Sequence, residues 1–400
     1  MSLLLVFAMC LLGAVLVSER AHRTVLSTAV LFLATGFAVG EGVLDLVPLR
    51  PEDDIVARLA ELALFSVLFT DGMRVGFRDL RSAWRLPGRA LLVGLPLTLV
   101  GTAVIAALVA GLPWGHAFLL AAALTPTDPV FAAAIVGREE ISGRLRHLLN
   151  VESGLNDGLA LPVVVILLEV VAGDELTVGA LATELALGVA IGVAVPLSAI
   201  RLERTRFFSA SLAYQPLNGV AIGLIVLALG SLTHANLFLA AFAAGITIAT
   251  IAPDVRASFH AFGENVAELL KLAALLVLGT LISPSFFAEI PIAGYGFAVV
   301  ALVLIRPIAL AIALIGSPLS GREQAAAAWF GPKGFASVVY ALLILESGVE
   351  RADELFHLAA LVVTASIVAH SSTDVVVARY LVDDLAEPPS TDQRNDHVDP

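Results

Sequence analysis

Apolar residues run along this chain in blocks of roughly twenty, the length a helix needs to cross a bilayer, separated by short polar stretches. The pattern predicts an all-α polytopic membrane protein with about thirteen spans. They fall near 2–17, 25–47, 55–72, 89–110, 116–136, 149–171, 176–200, 214–231, 235–252, 265–282, 293–315, 324–346 and 355–378. Met1-Ser2-Leu3 carries no basic lead, so Leu3–Val17 reads as a first span and not as a cleaved signal. Loops are short throughout, which predicts one membrane domain over residues 1–380.

Two polar clusters interrupt the apolar pattern. Thr125-Pro126-Thr127-Asp128-Pro129 lies between Ala117–Leu124 and Val130–Val136. Asn150-Val151-Glu152-Ser153-Gly154-Leu155-Asn156-Asp157-Gly158 leads into Leu159–Leu168. The prolines around Thr127-Asp128 remove backbone donors and oppose a regular helix. Irregular backbone at bilayer depth persists only where it is buried in protein or lines water. A carboxylate at that depth normally marks an ion or proton pathway. The clusters therefore predict a broken helix beside an acidic helix, together forming a cation site.

A second break, Phe330-Gly331-Pro332-Lys333-Gly334, interrupts the twelfth span. Asp128 comes about forty residues after span four begins, and Lys333 about forty after span eleven begins. Matched Gly/Pro-interrupted spans in two halves predict an inverted-repeat core with its site at the midplane. Half-helix ends carry opposed partial charges, so Asp128 and Lys333 would balance the facing ends of two crossed broken helices. Two ordinary proline kinks are the plainer alternative.

Composition supports the membrane reading and removes others. Of 400 residues, 58% are hydrophobic and 14% charged, more apolar sequence than a soluble core absorbs. A formal net charge of −12 without any Lys/Arg-rich run argues against nucleic acid as a partner. The single cysteine, Cys10, excludes an internal disulfide. Asp383–Pro400 is acidic and contains prolines, which predicts a disordered tail over 381–400.

Arginines test the orientation. They follow spans one (Arg20, Arg23), three (Arg74, Arg78, Arg81, Arg85, Arg89), five (Arg138, Arg144, Arg146), seven (Arg201, Arg204, Arg206), nine (Arg256) and eleven (Arg322). Arg379 and Arg394 lie toward the C-terminus. The alternate loops hold only Arg50 and Arg351, with Arg58 at a span edge. The positive-inside rule then predicts a plasma-membrane protein with its N-terminus outside and its C-terminus in the cytoplasm.

Three basic residues sit inside apolar segments: Lys271, Arg306 and Lys333, the two lysines being the only ones in the chain. Lys271 follows Glu268 by one turn near a span end, which predicts a local ion pair or snorkelling. Arg306 is mid-span without a local acid and must find a distant carboxylate.

Helical spacing sorts the acidic cluster. Ser153 and Asp157, four apart, share one face, and Glu152 and Asn156 share another about 100° round. Asp157, Ser153, Asp128 and a freed Thr127 carbonyl then make an all-oxygen set suited to a hard cation such as Na⁺. No histidines cluster there, so zinc or iron does not fit. A buried carboxylate that takes either a cation or a proton is by itself an exchange device, because the two compete for one group. Glu152 supplies the partner that Arg306 lacks, the alternative being a cation ligand. Asp71, in Phe69-Thr70-Asp71-Gly72-Met73, lines the access route or is a boundary residue. Glu41, Glu61, Glu169, Glu184 and Glu346 read as interfacial, and His370 and Asp374 as facing each other or the cytoplasm.

With these motifs the chain resembles the monovalent cation:proton antiporter family of the sodium/proton exchanger type, in its bacterial NhaP-like branch. Thr127-Asp128-Pro129 is similar to the family's unwound TDP segment, and Glu152-Ser153-Gly154-Leu155-Asn156-Asp157 to its E-S-x-x-N-D motif. Arg306 resembles its buried arginine, and Gly331-Pro332-Lys333-Gly334 its G-x-R-G stretch, with lysine for arginine. Thr70-Asp71 stands where relatives often carry a glutamate just after the phenylalanine. The resemblance implies the NhaA/NhaP-like antiporter fold, with core helices over about 89–171 and 293–378 and dimerisation or scaffold helices over about 1–87 and 176–282. It implies Asp157 as transport carboxylate, with Asp128, Ser153, Thr127 and Asn156 as ion-site partners. It also implies a Glu152–Arg306 pair, a homodimer, and electroneutral exchange of Na⁺, K⁺ or Li⁺ for protons. No cofactor is implied, since the ion is cargo. Two rivals use the same residues: a sodium-coupled symporter of an organic anion, which needs a free cation in its pocket, and an intramembrane enzyme, which needs paired catalytic aspartates.

Overall fold

The computed structural model describes residues 2–21, 28–74, 76, 86–128, 141–173, 178–205, 207–208, 211 and 214–386. Pro129 and the second half of span five, the arginines at 78, 81, 85 and 138, and the tail from residue 387 lie outside the described residues. In a medium without water, backbone polar groups must be paired within the segment, and the described chain is built from helices throughout.

These are α1 (Leu3–Ala21), α2 (Thr28–Val39), α3 (Asp54–Arg74), α4 (Pro87–Leu108), α5 (Trp114–Leu124), α6 (Gly143–Ala172) and α7 (Val178–Glu203). They continue with α8 (Gln215–Thr233), α9 (Leu237–Ile251), α10 (Pro253–Leu281), α11 (Ile292–Ala313), α12 (Gly321–Trp329), α13 (Phe335–Glu346) and α14 (Ala352–Ala386). A helix lies in each of the thirteen expected spans, α12 and α13 sharing one, and six helices are long and apolar enough to cross a membrane.

Boundaries depart from expectation where polar residues continue a helix. α10 starts at Pro253, well ahead of residue 265, because its first turns carry Arg256, His260 and Glu264, which hydropathy does not register. Arg256 is thus not a loop residue; it lies on α10 and donates to the Arg74 carbonyl. α14 runs to Ala386, so residues 381–386 are helical and not part of a tail.

Two groups of helices pack against one another. α9 lies on α3 and α7, and α10 on α2, α3 and α8; α4, α5, α6 and α11–α14 form the second group. Small residues let membrane helices approach backbone to backbone. At the α3–α9 crossing Gly72 faces Gly245, and at α2–α10 Gly36 faces Gly279; a Cβ at any of the four would meet the partner's backbone. The groups meet where α3 touches α6 and α13, α9 touches α6, α10 touches α13, and α2 touches α14.

The halves of the second group echo each other. α4 and α11 each contain a π turn, Ala90–Gly94 and Ala301–Ile305, that ends two residues before a proline, Pro96 or Pro307. A proline cannot donate its backbone N–H, and a widened turn absorbs the lost bond. In both halves the break begins 38 residues after the leading helix starts, Pro87 to Thr125 and Ile292 to Phe330.

Candidate functional site

The two breaks cross. α5 closes with Thr125 N–H to the Ala122 carbonyl at 3.3 Å, and Pro126 then ends the helix. Across the crossing, Asp128 N–H donates to the Pro332 carbonyl at 2.9 Å, while Lys333 N–H donates to Ser366 Oγ at 2.7 Å. Half-helix ends leave unpaired backbone groups and a partial charge. Lys333 Nζ donates to the Thr125 carbonyl at 3.2 Å, at the negative end of α5. The Asp128 side chain packs on Gly334, which precedes the positive end of α13; a Cβ there would collide with it. The last carbonyls of α12 have their own donor: Arg306 Nη1 reaches those of Ala327 and Ala328 at 3.2 and 3.3 Å. Gly331 leaves room for that guanidinium, which a Cβ would overlap.

α6 brings the acidic cluster to this crossing. Ser142 caps its start by accepting from Leu145 N–H at 3.3 Å. Asn156 Nδ2 donates to Thr127 Oγ1 at 2.6 Å, and Ser153 Oγ lies 3.3 Å from the same hydroxyl. Thr127 thus meets α6 through its hydroxyl. Asp157 is 4% exposed, and Tyr340, on α13, donates its hydroxyl to the Asp157 carbonyl at 2.8 Å. The side-chain atoms Asp157 Oδ1, Asn156 Oδ1 and Glu152 Oε2 are buried without a hydrogen-bond partner.

Among the described residues the other buried carboxylates, Glu152, Asp71 and Asp128, are paired. Arg306 Nη2 holds Glu152 Oε1 at 2.7 Å. Arg74 Nη1 holds Asp71 Oδ1 at 3.0 Å, and its Nη2 holds Glu264 Oε1 at 2.9 Å. Lys271 Nζ lies 3.5 Å from Asp128 Oδ1, with both side chains under a tenth exposed. Among the described residues Asp157 makes no ion pair, yet it stands within electrostatic reach of Asp71, Asp128, Lys271 and Arg74. No three His, Cys, Asp or Glu side chains among the described residues converge into a metal-holding cluster.

Two readings of the sequence are overturned. Lys271 does not snorkel, and its ion-pair partner is Asp128 and not the neighbouring Glu268, because α10 passes the crossing where it touches α13. His370 does not face the cytoplasm, and the side chain of Asp374, its other expected partner, lies outside the described residues. His370 is buried against Trp329 and Phe330, Nδ1 lying 2.8 Å from the Ser366 carbonyl and Nε2 3.0 Å from that of Trp329. The Asp71–Arg74–Glu264 chain and the Tyr340 contact went unread.

A helical bundle whose crossed half-helices enclose a buried carboxylate, without a cationic partner among the described residues, has the architecture of a secondary transporter. The chain belongs to the sodium/hydrogen exchanger family, matching its transmembrane region over residues 5–379. It is 26% identical over 384 residues to the K(+)/H(+) antiporter NhaP of Alkalimonas amylolytica, covering 95% of this chain and 66% of that protein. It is 27% identical over 340 residues to the low-affinity Na(+)/H(+) antiporter NhaS1 of a Synechocystis strain, covering 80% and 63%. The chain thus spans about two thirds of the length of these relatives. Its fold is that of the sodium proton antiporter MjNhaP1 from Methanocaldococcus jannaschii at pH 8, with a TM-score of 0.77, 18% identity, and coverage of 95% and 97%.

Proposed function

We propose that this chain exchanges a monovalent cation, Na⁺, K⁺ or Li⁺, for protons, the two competing for Asp157. The observation that carries this is the pairing of charges. Glu152, Asp71 and Asp128 each touch a basic side chain, whereas Asp157 touches none and has an unpartnered Oδ1. A lone charge at bilayer depth is costly, so Asp157 needs one cation or one proton to be neutral. Asp71, Asp128 and Asp157 face two fixed cations, Arg74 and Lys271, which leaves one negative charge for one cargo ion. Glu264 shares Arg74 with Asp71 and, like Glu268 nearer the start of α10, is only partly buried.

That balance supports one-for-one, electroneutral exchange. Ser153, Thr127, Asn156 and Asp128 supply the surrounding oxygens, and Glu152 with Arg306 ties α6 to α11 and, through the Ala327 and Ala328 carbonyls, to α12. Relatives named as K(+)/H(+) and Na(+)/H(+) antiporters support the cargo class. An organic-anion symporter loses support, because the guanidinium it would need is held by Glu152 and two carbonyls. The arginine distribution supports a plasma-membrane protein with its N-terminus outside and C-terminus inside. The group α1–α3 and α7–α10 is the surface for a homodimer.

The test is proton release from proteoliposomes on addition of each alkali cation. The wild type releases protons on cation addition, and Asp157→Asn, still folded and inserted, does not. Exchange by Asp157→Asn at the wild-type rate would remove the assignment.

A further inference from the structure

Lys271 stands outside every motif the function absorbed, yet its ammonium occupies the ion site. It sits on α10, in the first helix group, and points at Asp128 in the second. Among the buried ion pairs of the described residues, this one joins the two groups; Glu152–Arg306 lies wholly within the second. The contact is also loose. Lys271 Nζ and Asp128 Oδ1 are 3.5 Å apart, against 2.7 Å between Arg306 and Glu152. An ammonium on a four-carbon stem is a point charge that shifts readily, unlike a guanidinium held in a two-pronged fork. Its charge is felt by Asp157, Asp71 and the neighbouring Glu268 as well as by Asp128.

We propose that Lys271 is a tethered counter-cation of the transport site: its ammonium holds Asp128 while the cargo is absent, and an arriving alkali cation displaces it. The inference rests on the exchange reading above and adds a residue to it. Lys271 keeps its proton throughout and acts by charge and position alone. An incoming cation lowers the attraction between Asp128 and Lys271 and loosens the charged tie between the two helix groups. Cargo binding is thereby linked to their freedom to move relative to one another. Because the lysine competes with the cargo, it also sets the cation concentration at which the site fills.

The experiment uses the full chain in proteoliposomes, with Na⁺ and K⁺ titrated at fixed pH and proton release as the readout. In Lys271→Gln the competitor is gone, and the half-saturating cation concentration falls at least about tenfold, as expected for removing a like charge a few Å away. In Asp128→Asn the freed lysine neutralises Asp157 and the cation response is lost. Lys271→Gln combined with Asp128→Asn removes both charges together and recovers a cation response that Asp128→Asn alone lacks. A purely structural lysine would produce neither the fall nor the recovery. Unchanged or raised half-saturation in Lys271→Gln, or a double variant as silent as Asp128→Asn, overturns the proposal. If Lys271→Gln does not fold, the double variant, which strands no charge, decides alone. If the wild type releases no protons on cation addition, the exchange reading itself fails, independently of Lys271.

Discussion

Arg306 and Glu152 show what a buried charge demands of its surroundings. Both are almost inaccessible to solvent, and the guanidinium divides its donors between the Glu152 carboxylate and two carbonyls of α12. Removing one partner of such a pair strands the other and costs roughly 3–5 kcal/mol. Arg306→Ala should cost more than Glu152→Ala, because it also leaves the Ala327 and Ala328 carbonyls unpaired. The double change should cost less than the two single changes added together. Thermal unfolding in detergent measures all three, and strict additivity would mean that the pair carries no coupling. This partnership was legible in the sequence, because an arginine mid-span without a nearby acid must be matched from afar. Lys271 was not, because Glu268 offered a partner one turn away. In space the lysine reaches a residue 143 positions earlier.

At the scale of the element, the two broken helices are the device that makes the site. Each break ends a helix at bilayer depth, and each exposed end is met by a side chain of matching charge. Lys333 serves the C-terminal end of α5, Arg306 that of α12, and Asp128 the start of α13. The proposed task of Lys333 is to place a positive charge near the Thr125 carbonyl. Lys333→Arg should therefore keep substantial exchange, and Lys333→Met should lose most of it. Proteoliposome exchange rates compare the two directly; equal loss in both would favour a lysine that carries protons. The prolines and glycines of both breaks announced their position. The π turns ahead of Pro96 and Pro307 did not, since a proline near a span end is compatible with several local geometries.

For the whole molecule the deciding quantity is the charge enclosed between the helix groups. In the proposed cycle Asp71 and Asp128 stay paired, and the site would alternate between a protonated and a cation-bound Asp157 at the same net charge. A cycle that moved one charge would be biased by about 2.3 kcal/mol for every 100 mV across the membrane. Na⁺-driven proton exchange in vesicles should therefore be indifferent to an imposed diffusion potential. Acceleration by a potential of one sign and slowing by the other would rule out the one-for-one cycle and leave the site itself intact.

By itself the sequence determined what depends on neighbours along the chain. Apolar block length placed the spans, paired prolines and glycines placed the breaks, and four-residue spacing put Ser153 and Asp157 on one face of α6. These follow from helix geometry and from the cost of an unsatisfied backbone in lipid. Only the tertiary structure decided which charges meet. Close approach at Gly72–Gly245 and Gly36–Gly279 sets how α9 lies on α3 and α10 on α2. α10 in turn carries Lys271 to Asp128 and Glu264 to Arg74, and leaves Asp157 without a basic partner among the described residues. Such pairings are a matter of a few ångströms between helices far apart in sequence. Electrostatic energy at low dielectric changes steeply over that distance, and no local pattern encodes it.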